Sequence, residues 1–105
     1  MKIYLSAPVS RRLRKEVEVQ FTEASRRLRA LGLEVVCPYD AQDTDRPWAD
    51  YMMRDLDLLS TCDALLLLDG WQHSRGCRVE LAMARSWGLL VLTEVPEECS
   101  DIQTF

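Results

Sequence analysis

The chain is 105 residues long, and its 13 Lys and Arg against 17 Asp and Glu give a formal charge of −4. At 48% hydrophobic and 29% charged residues, with four glycines and four prolines, its composition is that of one globular domain, which excludes a disordered tail, a collagenous repeat and a coiled-coil rod. The longest apolar run, Ala64–Leu68, is far short of the roughly 18 residues that span a bilayer. No membrane partner is expected. Met1–Leu5 leads directly into Ser6, Ala7 and Pro8 rather than into a secretory pattern, so a cytoplasmic protein is expected. Cys37, Cys62, Cys77 and Cys99 include no CxxC pair, and the chain has one His, so neither a zinc site nor any other metal or cofactor is expected. Reduced, mostly buried thiols are the expectation, with Cys77 set apart by its place beside a candidate site. A chain this short buries only about 60–65% of its unfolded surface, which favours a homodimer or higher homo-oligomer.

Lys2–Leu5 reads as a first strand. Leu13, Val17, Phe21, Ala24, Leu28 and Leu31 then draw one apolar stripe along a helix that ends at Gly32. Leu33–Val36 is a second strand stopped by Pro38, and the aspartate-rich stretch Pro38–Pro47 is loop. Trp48, Met52, Leu56 and Leu59 stripe a second helix through about Ser60. Ala64–Leu68 is a third strand covered on both faces. After the loop Asp69–Arg75, a third helix carries Val79, Met83 and Trp87 inward and ends at Gly88. Leu89–Leu92 is a fourth strand, and the acidic tail, residues 94–105, receives no assigned structure. The alternation of strand and helix predicts an α/β fold, a three-layer α/β/α domain over residues 1–93 with a doubly wound, Rossmann-like parallel sheet of four or five strands.

Charge falls in blocks. Between Arg11 and Arg29 seven basic residues face three acidic ones, and between Asp40 and Asp69 eight aspartates face two arginines. In an acidic protein without interleaved aromatics, the basic block reads as the solvated face of a helix, so no nucleic-acid polymer is expected as partner.

In a doubly wound sheet, ligands bind beyond the carboxyl ends of the strands where strand order reverses. With order 2-1-3-4 that crevice lies between the first and third strands, whose exit loops are Ser6–Ser10 and Asp69–Gly76. Ser74 is a natural helix N-cap, Gly76 allows close approach to the backbone, and the free N–H groups there suit a phosphate. Glu80 follows one turn into the helix, where a carboxylate equally serves the helix dipole. Asp55 stands beside the apolar stripe of the second helix, where burial raises a carboxyl pKa; from periodicity alone it reads more readily as a helix-surface charge than as a catalyst. Asp50 and Asp57 read as solvated. Trp71 either stacks on a base or caps the sheet. His73 either meets a phosphate or sits in solvent, and Arg75 is the better phosphate ligand because its guanidinium pairs two oxygens.

The segments Ile3-Tyr4-Leu5-Ser6-Ala7-Pro8, Trp48-Ala49-Asp50-Tyr51-Met52-Met53-Arg54-Asp55, Cys62-Asp63-Ala64, Leu68-Asp69-Gly70-Trp71 and Ser74-Arg75-Gly76-Cys77-Arg78-Val79-Glu80, with Ala84 and Gly88, carry a resemblance. Together they resemble the nucleoside 2-deoxyribosyltransferase superfamily, which includes the 2′-deoxynucleoside 5′-phosphate N-hydrolases, and are most like a branch of small phage and bacterial proteins. The likeness covers about residues 1–93 and implies a flavodoxin-like fold. It implies Glu80 as the nucleophile at C1′ of a deoxyribose, Asp55 as the acid that protonates the departing base, and Tyr4 as a residue placing the nucleophile or sugar. Ser6, Ala7, Pro8, Asp69, Gly70, Trp71, Ser74, Arg75 and Gly76 then fall in the substrate-binding loops. The retaining pattern of glycoside chemistry fits such a pair of carboxyl groups.

Two departures bear on substrate and activity. Transferases of the superfamily carry an aspartate six residues before the nucleophile; here Ser74 stands there, as in the nucleotide hydrolases, and suits a 5′-phosphate. Relatives often have glycine where this chain has Ala7, and the added methyl narrows the pocket, which counts against activity and favours a binding protein. The expectation is therefore an N-glycosidase of a 2′-deoxynucleoside 5′-monophosphate. Its rivals are a nucleoside 2-deoxyribosyltransferase, a nucleotide-binding protein of the same fold that senses or sequesters without cleaving, and a purely structural domain.

Overall fold

The computed structural model describes residues 1–39, 46–94 and 102–104. Asp40, Asp43, Asp45, Cys99 and most of the acidic tail lie outside the described residues. The first strand, β1 (Lys2–Ser6), is central, because residues of both parities are apolar or small and it is covered on both faces. It is followed by α1 (Arg14–Ala30), β2 (Glu34–Val36), α2 (Trp48–Leu59), β3 (Ala64–Leu67), a 3₁₀ turn at Trp71–His73, α3 (Arg75–Ser86), β4 (Leu90–Glu94) and β5 (Ile102–Thr104). The sheet order is β2-β1-β3-β4-β5. The first four strands pair in parallel, in the expected 2-1-3-4 order. β5 adds an antiparallel edge strand where the sequence offers only three residues, too few for a pattern.

The period-2 alternation of β1 and β3 divides the core into two layers. Ile3, Leu5, Ala7, Ala64, Leu66 and Leu68 pack against Val17, Phe21, Ala24 and Leu28 of α1. On the opposite face Tyr4, Leu65 and Leu67 pack against Leu59, Cys77, Leu81 and Ala84 of α2 and α3. This is the three-layer α/β/α domain. Reversal of strand order falls between β1 and β3.

Three expected faces need correction. On α1, Leu13 and Leu31 are exposed because the stripe is longer than the strands it covers, and Ser25 is buried instead. On α2, Met52 and Leu59 are buried while Trp48 is partly open to solvent. On α3, the buried residues are Cys77, Glu80, Leu81 and Ala84, whereas Val79 and Met83 are half-buried and Trp87 is exposed at the C-cap. Small side chains at Cys77 and Ala84 let α3 lie close to the sheet, so the larger apolar residues flank the contact. Among the described cysteines, Cys62 and Cys77 are buried but Cys37, just beyond the short β2, is exposed. None of the described helices is long and apolar enough to cross a membrane.

Candidate functional site

α3 begins where Ser74 caps it, its Oγ accepting the Cys77 N–H at 3.2 Å. The helix approaches α2 closely here. A Cβ on Gly76 would stand 3.3 Å from Met52 Sδ, so glycine is what lets the two helices meet at this point. One turn on, Glu80 points inward at the sheet and is only 5% exposed. The Tyr4 hydroxyl donates to Glu80 Oε2, and Ser6 Oγ donates to Oε1 at 2.7 Å. Tyr4 and Ser6 are alternate residues of β1 and therefore share the face that looks at α3. Both carboxylate oxygens thus have a hydroxyl donor, an arrangement that suits the charged form.

Burial opposes that charge. Glu80 is raised to about 7 by burial first, with Tyr4 and Ser6 pulling it back and Asp55 adding a push upward. The Tyr4 phenol is held far above its ordinary range by burial and then by the neighbouring Glu80 charge, so it stays a donor. Burial also lifts the Cys77 thiol, which makes it a packed neutral group beside the carboxylate.

Glu80 forms part of the wall of a cavity of about 770 Å³ at the carboxyl ends of β1 and β3. Ser6 enters it from the end of β1, Ala7 and Pro8 from the β1–α1 loop, Ser74, Arg75 and Gly76 from the start of α3, and Asp55 from α2. Asp55 is raised above its ordinary value by burial, against the lowering effect of Arg54, whose Nε and Nη2 donate to Oδ1 at 3.2 and 3.1 Å. Two carboxyl groups with elevated proton affinity therefore share one cavity, the pattern from which acid and nucleophile roles are built.

Not every residue singled out in sequence reaches this cavity. Tyr4 lies beneath it, hydrogen-bonded to Glu80. Asp69, Gly70 and Trp71 lie outside the lining. The Asp69 carbonyl instead accepts from Gln20 at 3.0 Å, Gly70 takes a left-handed φ of 90° against Pro8, and Trp71 packs on the α2/α3 side of the core. Arg75 lines the cavity with its guanidinium over the Trp48 ring, 4.0 Å from the centroid. His73 lines it as an exposed residue.

Sequence reasoning missed Trp48, Tyr51, Arg46 and Arg54, which line the cavity with Asp55. The signal was present: Trp48, Tyr51, Met52 and Asp55 recur at helical spacing, so the face that looks like core is the cavity wall. It also missed Arg11 and Arg14, which belong to the basic block assigned to solvent. Among the described residues no group of His, Cys, Asp and Glu is arranged to hold a metal ion.

A family model described as a domain of unknown function, DUF4406, matches residues 1–93. The chain belongs to that family. No curated protein matches it. In solved structures, this DUF4406 protein is similar to a 2-deoxyribosyltransferase from Bacillus psychrosaccharolyticus, at 20% identity and a TM-score of 0.67, over 94% of this chain and 79% of that one. It is similar to a 2-deoxyribosyltransferase from Leishmania mexicana at 19% identity and a TM-score of 0.68, over 88% and 62% of the two chains. A CMP N-glycosidase from Clostridium botulinum matches at 17% identity and a TM-score of 0.61, over 89% and 67%. What the DUF4406 chain shares with them is the fold, and it spans less than two thirds of the Leishmania mexicana protein.

Proposed function

We propose that this protein is an N-glycosidase that cleaves the base–sugar bond of a 2′-deoxynucleoside 5′-phosphate, with Glu80 as nucleophile and Asp55 as acid. The observation that carries the reading is Glu80 itself: a buried carboxyl group, oriented by hydroxyls on both oxygens, opening onto a cavity that also holds Asp55. The likeness in fold to deoxyribosyltransferases and a CMP N-glycosidase supports it.

In the first step a Glu80 oxygen forms a bond to C1′ as the C1′–N bond breaks, and the departing electron pair stays on the base nitrogen, which takes a proton from Asp55. The positive charge that develops on the sugar lies beside Glu80 and favours its ionised form at the moment of reaction. In the second step a water oxygen attacks C1′, its proton passes to Asp55, and the Glu80 ester opens. A second base in place of water would make the reaction a transfer. Tyr4 and Ser6 fix the carboxylate so that attack needs no reorientation. Ser74, the N-terminal N–H groups of α3 and the Ser6–Ser10 loop receive the 5′-phosphate.

Incubation with a panel of deoxynucleoside 5′-mono-, di- and triphosphates, with free base followed by chromatography, tests the reading. Base release is expected from at least one nucleotide and should fall roughly 1,000-fold or more in Glu80→Ala. No release from any member, or release undiminished in that variant, removes it. A nucleotide that raises the melting temperature and is recovered intact points instead to a binding protein, a reading favoured by the Arg54 contact, which works against the raised proton affinity of Asp55.

A further inference from the structure

The β1–β3 ladder ends with Ser6 opposite Leu67, and just past it the Leu68 N–H donates to the Ser6 carbonyl at 2.8 Å. Beyond that point the chain runs in two loops, one leading to α1 and the other to α3, and both border the cavity. Ala7 and Pro8 line it from the first loop, His73 and Ser74 from the second. An anion received by both loops needs their spacing held to about 0.5 Å.

Two contacts hold it. One is apolar: Gly70 lies against Pro8, so closely that a Cβ on the glycine would stand 3.2 Å from Pro8 Cγ. The other is a chain of hydrogen bonds that passes through α1. Arg12 Nη1 donates to the Pro8 carbonyl at 2.8 Å and to Gln20 Oε1 at 2.6 Å, while Gln20 Nε2 donates to the Asp69 carbonyl at 3.0 Å. Two side chains thereby join a carbonyl of one loop to a carbonyl of the other.

Gln20 is the joint. Its amide presents an acceptor to Arg12 and a donor to Asp69, and the flipped amide would set donor against donor and acceptor against acceptor. Glutamate lacks the donor, lysine and arginine lack the acceptor, and asparagine is one methylene shorter. The joint also has a firm seat, because its neighbours on α1, Val17 and Phe21, are buried in the core. Neither Arg12 nor Gln20 lines the cavity, so both act through the loops they connect.

We propose that Gln20, with Arg12, is a positioning residue that holds the β1–α1 and β3–α3 loops at the spacing where both reach one 5′-phosphate, and so sets a preference for the nucleotide over its free nucleoside. This rests on the proposed reading of the site as one for a 5′-nucleotide.

Two variants of the full chain test it. Gln20→Met keeps the length of the side chain and loses both bonds, whereas Gln20→Glu keeps an acceptor for Arg12 and loses only the donor to Asp69. Methionine and glutamate are good helix formers, so α1 forms in each. Base release from a 2′-deoxynucleoside 5′-monophosphate is compared with release from the same nucleoside, and melting is followed with inorganic phosphate. The ratio of kcat/KM for nucleotide over nucleoside should fall about tenfold in Gln20→Met, through the nucleotide alone, and the melting shift with phosphate should shrink in both variants. A role confined to holding the fold lowers both substrates alike; an unchanged ratio, or equal phosphate shifts in the three chains, overturns the proposal. Where the parent leaves the nucleoside intact, the phosphate shifts decide.

Hydrogen exchange read by mass spectrometry tests the joint without any ligand. The His73 N–H donates to the Gly70 carbonyl at 3.2 Å and the Ser74 N–H to the Trp71 carbonyl at 3.1 Å. These amides should exchange faster in both variants, while those in the middle of α1 keep the parent's rates. Unchanged exchange at His73 and Ser74 overturns the proposal. Absence of base release from every nucleotide, with faster loop exchange and smaller phosphate shifts in the variants, removes the glycosidase reading alone.

Discussion

A carboxyl group on the buried face of α3 opposes folding whenever it is charged. Glu80 is raised from an ordinary 4.5 to about 7, so the folded state holds its proton through a pH range where the unfolded chain has released it. Its contribution to stability is therefore fully present below about pH 4.5 and is lost as pH rises through 7, a loss of about 3 kcal/mol at most. Glu80→Gln keeps the shape and removes the charge. At pH 8 this variant should melt higher than the parent by on the order of 10 °C, and the gain should disappear at pH 4.5 in thermal melts followed by circular dichroism. A variant less stable than the parent at pH 8, or a gain independent of pH, would contradict the assignment. At this scale the sequence displayed the chemistry unevenly. Glu80 and Asp55 stood out through their places on helices, but Ser6 read as a substrate contact and is a donor to Glu80, a cross-element pairing that no local spacing encodes. Arg11 and Arg14 were hidden inside a run of arginines, and the left-handed φ of 63° at Arg11, beside the cavity that both residues line, is not announced by any glycine.

The strands and helices themselves were legible because hydrophobic periods of two and of three to four residues are written along the chain. β1, α1, α2 and β3 begin or end within a residue or two of the expected bounds. The inward face of α3 was not legible, since Leu81 is its one large apolar residue beside Cys77, Ala84 and the Glu80 carboxyl group, and larger apolar residues at helical spacing drew the eye to its flank. The turn at Gly70 shows how element geometry reaches the site. Its φ of 90° favours glycine, and an added Cβ would stand 3.2 Å from Pro8 Cγ, on the cavity wall. Gly32 also has positive φ, at 82°, but an added Cβ there meets nothing within 4 Å. Both Gly70→Ala and Gly32→Ala should lose roughly 1 kcal/mol in urea unfolding. Only Gly70→Ala should also weaken nucleotide binding, read by titration calorimetry, because it displaces Pro8. Equal binding by the two variants would show that this contact does not shape the cavity.

At the scale of the molecule, the parallel order β2-β1-β3-β4 places the crevice, and the alternation along β1 decides which of its residues look into it. Among the described residues several arginines line the cavity of a chain whose overall charge is −4, so where the charge sits says more about this site than the total does. The central claim is that Glu80 takes the sugar. The most direct test quenches the protein with denaturant during turnover of a deoxynucleotide and maps any added mass by peptide mass spectrometry. The account predicts a deoxyribosyl phosphate adduct on the peptide containing Glu80, absent in Glu80→Gln. An adduct on Asp55, or base release in which no protein residue ever carries the sugar, would contradict it.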